Sequence, residues 1–314
     1  MPPSLAPSVD VLPTATALAT GGPGAPAGEP RDWTRTVGSL VSLAVLVVVV
    51  LQLPLIRPAE FDALLPDGPA FWAAFVIFYL TGPISEWVIY RRLWQLPFGG
   101  VFALLRKQVA NEIVLGYSGE VQFYLWARRH VGLTTSPFGA VKDVSVQSAL
   151  AGNVATVAMM VAMWPLLETV ATGGVGRALF WSVVVVIAIS LGALLLRGTL
   201  FSLSARALRG IFAIHMLRIA VLLGLSAAMW HMIMPSVATG LWLVIGTLRM
   251  MLSRLPFLPN KDLVLAGLVA YLLGRDGETA AVTAVMASLI VATHLIVGIT
   301  TGAAEFAARW STKP

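Results

Sequence analysis

The chain of 314 residues contains no cysteine. This absence excludes disulfide bonds, thiolate metal sites and thiol nucleophiles. Charged residues are also scarce, at 11% of the chain, whereas 58% of the residues are hydrophobic. Soluble domains carry about 25% charged residues. The composition therefore predicts a protein whose structure is governed by the lipid bilayer rather than by water.

Motifs for nucleotide binding and for common catalytic sites are absent as well. The sequence has four histidines, none of them in a metal-ligand spacing such as HExxH. It also lacks a Walker loop, a strand-borne GxGxxG and a GxSxG elbow. We therefore expect no cofactor and no bound metal, and enzymatic activity is an alternative rather than the main expectation. The formal charge of +6 is explained by topology, because basic residues accumulate in cytoplasmic loops, and so we expect no nucleic-acid partner.

Eight apolar runs flanked by charge are candidate membrane spans, since a span needs about 20 apolar residues. They lie at Val37–Leu55, Phe71–Tyr90, Val144–Leu167, Ala178–Leu196, Ile211–Met234, Val237–Leu252, Leu263–Leu273 and Thr279–Thr301. The sixth and seventh runs are short. The predicted fold class is an all-α polytopic membrane helix bundle of about eight transmembrane helices plus a re-entrant or broken helical segment.

Composition and charge also predict domains and orientation. Residues 1–36, rich in Pro and Gly up to Pro30, are predicted to form a disordered cytoplasmic tail. Residues 37–305 are predicted to form one membrane domain, and residues 306–314 a short cytoplasmic tail. In this topology only Arg57, Arg177 and Arg275 are basic residues outside the cytoplasm, which favours two cytoplasmic termini. The lack of an N-x-S/T sequon agrees with a multi-pass protein of the bacterial inner membrane.

The most unusual segment is Leu96–Val131, which is too apolar for an aqueous loop. Polar residues interrupt it, among them Arg106, Lys107, Asn111, Glu112 and Glu120. Unpaired charges at membrane depth cost several kcal/mol each, so this segment must be buried in protein or line a wet cavity. We predict a re-entrant hairpin or broken helix with its break at residues 116–119, which places Glu120 at a helix N-terminus.

A second interruption occurs at Arg249–Asp262. Pro256 and Pro259 prevent a continuous helix, and Asn260, Lys261 and Asp262 open a new one. Both interruptions read as a basic residue, a break and then an acid, with 14 residues from Arg106 to Glu120 and 13 from Arg249 to Asp262. Paired breaks in the two halves of a chain suggest inverted repeats and a substrate path near the membrane midplane.

The sequences at these two breaks resemble those of a known family. The run Leu115-Gly-Tyr-Ser-Gly-Glu120, followed by Arg128 and Arg129, and the run Pro256-Phe-Leu-Pro-Asn-Lys-Asp262 resemble signatures of the flippase-like membrane domain of the lysylphosphatidylglycerol synthase family. The resemblance covers residues 37–305. It implies a stand-alone membrane domain without the soluble aminoacyl-transferase domain, and therefore a lipid flippase-like protein rather than a lipid-aminoacylating enzyme.

The candidate substrate-path residues are the polar residues of the two breaks and of the fifth span. They are Arg106, Lys107, Asn111, Glu112, Tyr117, Ser118, Gly119, Glu120, Arg128, His215, Arg218, Arg249, Arg254, Asn260, Lys261 and Asp262. Arginine offers bidentate donors to a phosphate, and the alternative for Arg218 is a structural pair with Glu112 or Asp262. We assign Glu86 to an interfacial ion pair with Arg91.

The function predicted from these features is the movement or binding of an amphiphilic lipid between leaflets, with membrane lipids as partners. One alternative is a membrane-embedded enzyme acting on a lipid or polyprenyl head group, in which Glu112, Glu120 and Asp262 act as acid, base or metal ligands. Another is a non-catalytic scaffold for envelope assembly. Partner envelope proteins and a homodimer are both compatible with the sequence.

Overall fold

A computed structural model describes residues 66, 68–113, 118–131, 137–170, 201–254, 261–273 and 278–311, with a few single positions between 171 and 200. These residues contain eight α-helices and no strand, which confirms the all-α class. The helices are α1 (Pro69–Trp94), α2 (Gly100–Ile113), α3 (Ser118–His130), α4 (Phe138–Val170), α5 (Ala205–Ile233), α6 (Thr239–Leu252), α7 (Lys261–Leu273) and α8 (Glu278–Ser311).

Four of the described helices, α1, α4, α5 and α8, are long and apolar enough to cross a membrane. The chain is therefore a membrane-embedded protein. Helices α6 and α7 have 14 and 13 residues, so each rises about 20 Å and is shorter than the roughly 30 Å hydrocarbon core. The N-terminal tail, the span Val37–Leu55 and most of Ala178–Leu196 lie outside the described residues, so the count of eight spans stays a prediction.

The helix lengths repeat along the chain. Helices α1 to α4 have 26, 14, 13 and 33 residues, and helices α5 to α8 have 29, 14, 13 and 34. Among the helices that the structure describes, each half thus has a long helix, two short helices and a second long helix. Helix α4 of the first half packs on α6 of the second, and α8 correspondingly packs on α2.

The first helices of the two halves, α1 and α5, pack against each other and run antiparallel. The beginning of α1 shares an apolar cluster with the end of α5, through Phe71 and Trp230. The end of α1 shares a second cluster with the beginning of α5, through Tyr90 and Ile211. Polar residues lie between these clusters on both helices, so a polar layer crosses the bundle at mid-height.

A proline inside α1 opens the helix toward this polar layer. Pro83 has no backbone N–H, so the carbonyl of Tyr79, four residues earlier, cannot accept its usual helical hydrogen bond. Instead it accepts from Gln108 Nε2 of α2 at 3.3 Å. A side chain at Gly82 would meet Gln108 Oε1 at 2.6 Å. A glycine and a proline in α1 therefore allow α2 to approach closely.

Candidate functional site

A cavity of about 410 Å³ occupies the polar layer between the two apolar clusters. All eight described helices contribute residues to its wall. Nine of the wall residues are Asp, Glu, Lys or Arg, namely Glu86, Lys107, Glu112, Glu120, Arg218, Arg249, Arg254, Lys261 and Asp262. Its volume lies in the lower part of the range of small-molecule sites, about 300–1,000 Å³.

Lys107 forms the centre of the first charge cluster. Its Nζ lies 2.6 Å from Glu86 Oε2 and 3.3 Å from Glu120 Oε1. Its side chain is only 4% exposed, and a buried charge of this kind is tolerated only with partners. Three helices supply the cluster, because Glu86 lies on α1, Lys107 on α2 and Glu120 on α3. The cluster therefore ties the broken hairpin α2–α3 to the first long helix.

Arg218 extends this cluster from α5. Its Nη1 lies 3.6 Å from Glu86 Oε1, and its Nη2 donates a hydrogen bond of 2.8 Å to Ser148 Oγ on α4. Ser145, also on α4, lies with its Oγ 3.5 Å from Glu120 Oε1. Five helices thus meet through side chains at this end of the cavity, and two positive charges stand beside two negative ones.

The second charge cluster is the pair of Arg249 and Asp262. Arg249 Nε donates to Asp262 Oδ1 at 2.5 Å, and Nη2 donates to Oδ2 at 3.1 Å. Such a two-bond fork is the strong form of an arginine–carboxylate contact. The guanidinium also lies over the ring of Phe78, 5.6 Å from its centroid, which adds a cation–π contact. Arg249 belongs to α6 and Asp262 to α7.

The two clusters repeat one arrangement. In each half a base on the first short helix pairs with an acid in the first turn of the second short helix, and the two residues are 13 positions apart. A carboxylate in the first turn is favoured by the helix dipole. The sequence pattern compared Arg106 with Glu120 by spacing only, and the base that contacts Glu120 is the neighbouring Lys107.

Two hydrogen bonds connect α2 to the start of α3 in the first hairpin. The backbone N–H of Gly119 donates to Asn111 Oδ1 at 2.7 Å, and Ser118 Oγ donates to the carbonyl of Ala110 at 2.8 Å. A Cβ at Gly119 would lie 2.1 Å from the Lys107 carbonyl oxygen, so only glycine permits this approach. Asn111 therefore caps the start of α3. It was predicted as a path residue, and it lines the cavity but also has this structural role.

Arg254 enters the cavity from the end of α6. Its Nε and Nη2 donate to Ser253 Oγ at 3.1 and 2.7 Å, and its Nη1 donates to the Ala149 carbonyl of α4 at 3.4 Å. The guanidinium occupies the space beside Gly152, where an added Cβ would lie 2.0 Å from Nη1. Gly152 thus provides the space in which Arg254 rests against α4.

A hydrogen bond joins α1 and α8 in the cavity wall. Tyr79 Oη and His294 Nδ1 are 2.8 Å apart and buried, and the two rings are 5.2 Å apart. This contact is a hydrogen bond between two helices. Glu112 lies in the same part of the wall, in the electrostatic field of Lys261, Asp262 and Arg249.

The structure brings most of the predicted path residues together. Nine of them line the cavity, namely Lys107, Asn111, Glu112, Glu120, Arg218, Arg249, Arg254, Lys261 and Asp262. Ser118 and Gly119 lie at the hairpin break. Tyr117 and Asn260 lie outside the described residues.

Three predicted path residues lie elsewhere. Arg106 and the fully buried His215 are not part of the cavity wall. Arg128 is exposed at the end of α3, 5.8 Å from the centroid of the Tyr124 ring. These positions differ from the prediction because helix periodicity, which the sequence shows only approximately, decides which face a residue occupies.

Sequence reasoning missed several members of the site. Glu86 was assigned to an interfacial pair with Arg91, but it lies in the cavity and contacts Lys107 and Arg218. Tyr79, Gln108, Ser148 and Gly152 were not identified. One signal was available for Glu86, since it lies in an apolar run three residues after Pro83, where a charge needs a partner.

Among the described residues no group of three His, Asp or Glu side chains could hold a metal ion. Comparison with protein-family models, with curated proteins and with solved structures finds no match for this chain.

Proposed function

We propose that this protein is a membrane carrier that moves a polar-headed amphiphile between the two leaflets. The observation that carries the proposal is the charged cavity at mid-height of the bundle, to which all eight described helices contribute. Charges within a membrane bundle are costly and typically mark a substrate or ion path. A cavity of about 410 Å³ accommodates a lipid head group, while the acyl chains stay in the surrounding bilayer.

The repeated arrangement of the helices supports this proposal. We infer that α1–α4 and α5–α8 are inverted repeats, because they share one order of helix lengths and their first helices run antiparallel. Carriers built from inverted repeats bind substrate at the repeat interface, near broken helices. The two broken hairpins α2–α3 and α6–α7 flank the cavity here in the same way.

The resemblance of the two breaks to the flippase-like domain of the lysylphosphatidylglycerol synthase family supports an amphiphile as cargo. In this proposal Lys107, Arg218 and Arg249 attract the charged head group. In the structure Glu120 pairs with Lys107 and Asp262 pairs with Arg249. In this proposal the two acids neutralise these bases again when the substrate leaves. We also propose that the protein lies in the bacterial inner membrane. Both termini would be cytoplasmic, because the basic residues of the chain lie mostly on one side of the membrane.

A lipid-scrambling assay tests the proposal. The full-length protein is reconstituted into vesicles containing phosphatidylglycerol that carries a fluorophore on an acyl chain, and dithionite bleaches the outer leaflet. In empty vesicles dithionite should bleach about one half of the fluorophore, that of the outer leaflet. In vesicles with protein we expect the bleached fraction to rise above about one half. A Lys107→Met variant should lower the rate at least tenfold, about 1.4 kcal/mol, whereas the exposed Arg209→Gln variant should match the wild type.

The same vesicles separate the carrier from the alternatives. Mass spectrometry of the recovered lipid should show the starting molecule unchanged. A chemically altered head group would replace the carrier with a membrane-embedded enzyme that uses the same acids. Equal bleaching with and without protein, for both phosphatidylglycerol and phosphatidylethanolamine, would reject the carrier and favour a scaffold.

A further inference from the structure

The two halves of the chain supply equivalent positions to the cavity wall. One constant offset in residue number aligns Lys107 with Arg249 and also Glu120 with Asp262. The same offset matches every wall residue of α2, α3 and α4 with a wall residue of the second half. The cavity therefore lies between two surfaces that correspond residue by residue, as expected for inverted repeats.

The wall residues of α1 and α5 correspond in the same way, and they show how the two halves divide their charges. A constant offset aligns Phe78 with Arg218 and Glu86 with Ser226. Glu86 and Arg218 are thus each charged where the equivalent residue is neutral. They form an ion pair with each other at 3.6 Å, so an acid of the first half is matched by a base of the second.

Glu112 and Lys261 are a second acid and base of this kind, but they do not touch. Glu112 of α2 corresponds to Arg254, and Lys261 of α7 corresponds to Gly119, which has no side chain. Lys261 is the charge that acts most strongly on the Glu112 carboxyl group. Within the part of the chain that the structure describes, however, neither side chain forms a hydrogen bond or an ion pair closer than about 4 Å. Both line the cavity, so one ligand in the cavity can reach both.

The cost of dehydrating these two charges selects the ligand. A ligand that enters the cavity displaces water from both side chains, and a charge that loses its water needs a partner of opposite sign. A purely anionic head group contacts Lys261 and leaves Glu112 uncompensated, and a purely cationic one does the reverse. A head group that carries both charges satisfies the two side chains together.

We propose that Glu112 and Lys261 bind a zwitterionic head group of the phosphoethanolamine type, with its ammonium group on Glu112 and its phosphate on Lys261. An ammonium group has three N–H donors, which suit a carboxylate in one case and phosphate oxygens in the other. The inference rests on the proposed function and deepens it, because it names the class of head group that the cavity recognises.

Binding to the purified full-length protein in neutral detergent tests this site without any transport step. The probes are dihexanoyl phosphatidylethanolamine, its N-acetyl derivative, which has lost the positive charge, and dihexanoyl phosphatidylglycerol, each titrated calorimetrically. We expect the phosphatidylethanolamine to bind at least tenfold more tightly than either of the other two lipids. Equal affinity for the three lipids overturns the proposal.

Two variants assign the preference to its residues. Glu112→Gln keeps the shape of the side chain and should bring the three affinities within twofold of one another. Lys261→Gln should weaken the binding of phosphatidylethanolamine at least tenfold, and it should fold, because the helix dipole does not favour a positive charge in the first turn of α7. The exposed Arg209→Gln on α5 should keep the wild-type affinity and preference.

Thermal unfolding identifies a variant that fails to fold, and Lys261→Gln decides alone if Glu112→Gln is lost in this way. A folded Glu112→Gln variant with the wild-type preference overturns the proposal. Wild-type affinity in Lys261→Gln overturns it as well.

The remaining outcomes separate this site from the proposed function, with free phosphoethanolamine as a fourth probe. Binding of phosphoethanolamine but not of the lipid supports the site and removes the amphiphile as cargo. A preference for phosphatidylethanolamine in detergent, without lipid transfer in vesicles, supports the site and rejects the carrier. Transfer in vesicles without any preference in detergent, or no binding of either zwitterionic probe, rejects the site.

Discussion

Arg249 and Asp262 form a forked ion pair across the break between α6 and α7. The pair connects the last turn of one short helix to the first turn of the next. Lys107 and Glu120 make the corresponding connection in the hairpin α2–α3. Each pair therefore acts as a closure for its hairpin, and both closures face the same cavity.

Removing the acid of the second closure should destabilise the protein. In Asp262→Asn the amide keeps the shape but leaves Arg249 without its carboxylate, and the expected loss is about 2 kcal/mol, as for a hydrogen bond to a charged group. Thermal unfolding in detergent measures the loss. The double variant Arg249→Met and Asp262→Asn should recover part of it, because no uncompensated charge remains. A double variant less stable than either single one would contradict this account.

Lys107 should be the more sensitive member of the first cluster. Lys107→Met leaves two carboxylates, Glu86 and Glu120, without their shared base, so we expect a loss of about 3 kcal/mol. Glu120→Gln removes only one of the two contacts of Lys107 and should cost less. Adding Glu120→Gln to Lys107→Met should restore some stability, and purely additive losses would show that the three residues do not interact.

Gly119 should tolerate no side chain. A Cβ there would approach the Lys107 carbonyl to 2.1 Å, so Gly119→Ala must push α3 away from α2 and break the cap from Asn111. We expect a loss of several kcal/mol or a failure to accumulate in the membrane. Gly267→Ala on α7 is the matched control, because nothing lies within 4 Å of its Cβ position, and it should be as stable as the wild type.

Tyr79 should contribute through its hydroxyl group. Tyr79→Phe removes the hydrogen bond to His294 Nδ1 and leaves a buried ring nitrogen without this partner, at an expected cost of about 1–2 kcal/mol. The exposed Tyr271, 77% accessible, provides the control, since Tyr271→Phe should leave the unfolding temperature unchanged. Equal effects at both positions would remove the structural role of this contact.

The long helices were predictable from sequence because lipid demands uninterrupted apolar runs. The predicted span Phe71–Tyr90 falls within α1, and Ile211–Met234 largely coincides with α5. The broken segment was predictable for the opposite reason, since Lys107 and Glu120 are too polar to face lipid. Both arguments use only the cost of transferring a residue into hydrocarbon, which can be calculated from the residue itself.

The partners within the site were not predictable in the same way. Adjacent residues on a helix differ by 100° in direction, so the sequence could not decide between Arg106 and Lys107 as the base that reaches Glu120. Glu86 meets Lys107 from a helix 21 positions away, and Arg254 meets Gly152 from more than 100 positions away. Such contacts depend on how helices pack, and the linear sequence carries no local signal for them.

The antiparallel packing of α1 and α5 makes a prediction about sidedness. The hairpin α2–α3 begins and ends near the C-terminal end of α1, so Phe98 and His130 should lie on one side of the membrane. Ser236, just after α5, should lie on the other side, since the end of α5 packs beside the start of α1. All three positions are exposed.

Cysteine labelling measures this arrangement cleanly, because the chain has no cysteine of its own. With Arg91, Arg92, Arg128 and Arg129 placed in the cytoplasm by the positive-inside rule, Ser236→Cys should react with a membrane-impermeant maleimide in intact cells. Phe98→Cys and His130→Cys should react only after the membrane is permeabilised. Labelling of Phe98→Cys and His130→Cys from opposite sides would show that α2–α3 crosses the membrane, and the pairing of two inverted halves would then fail.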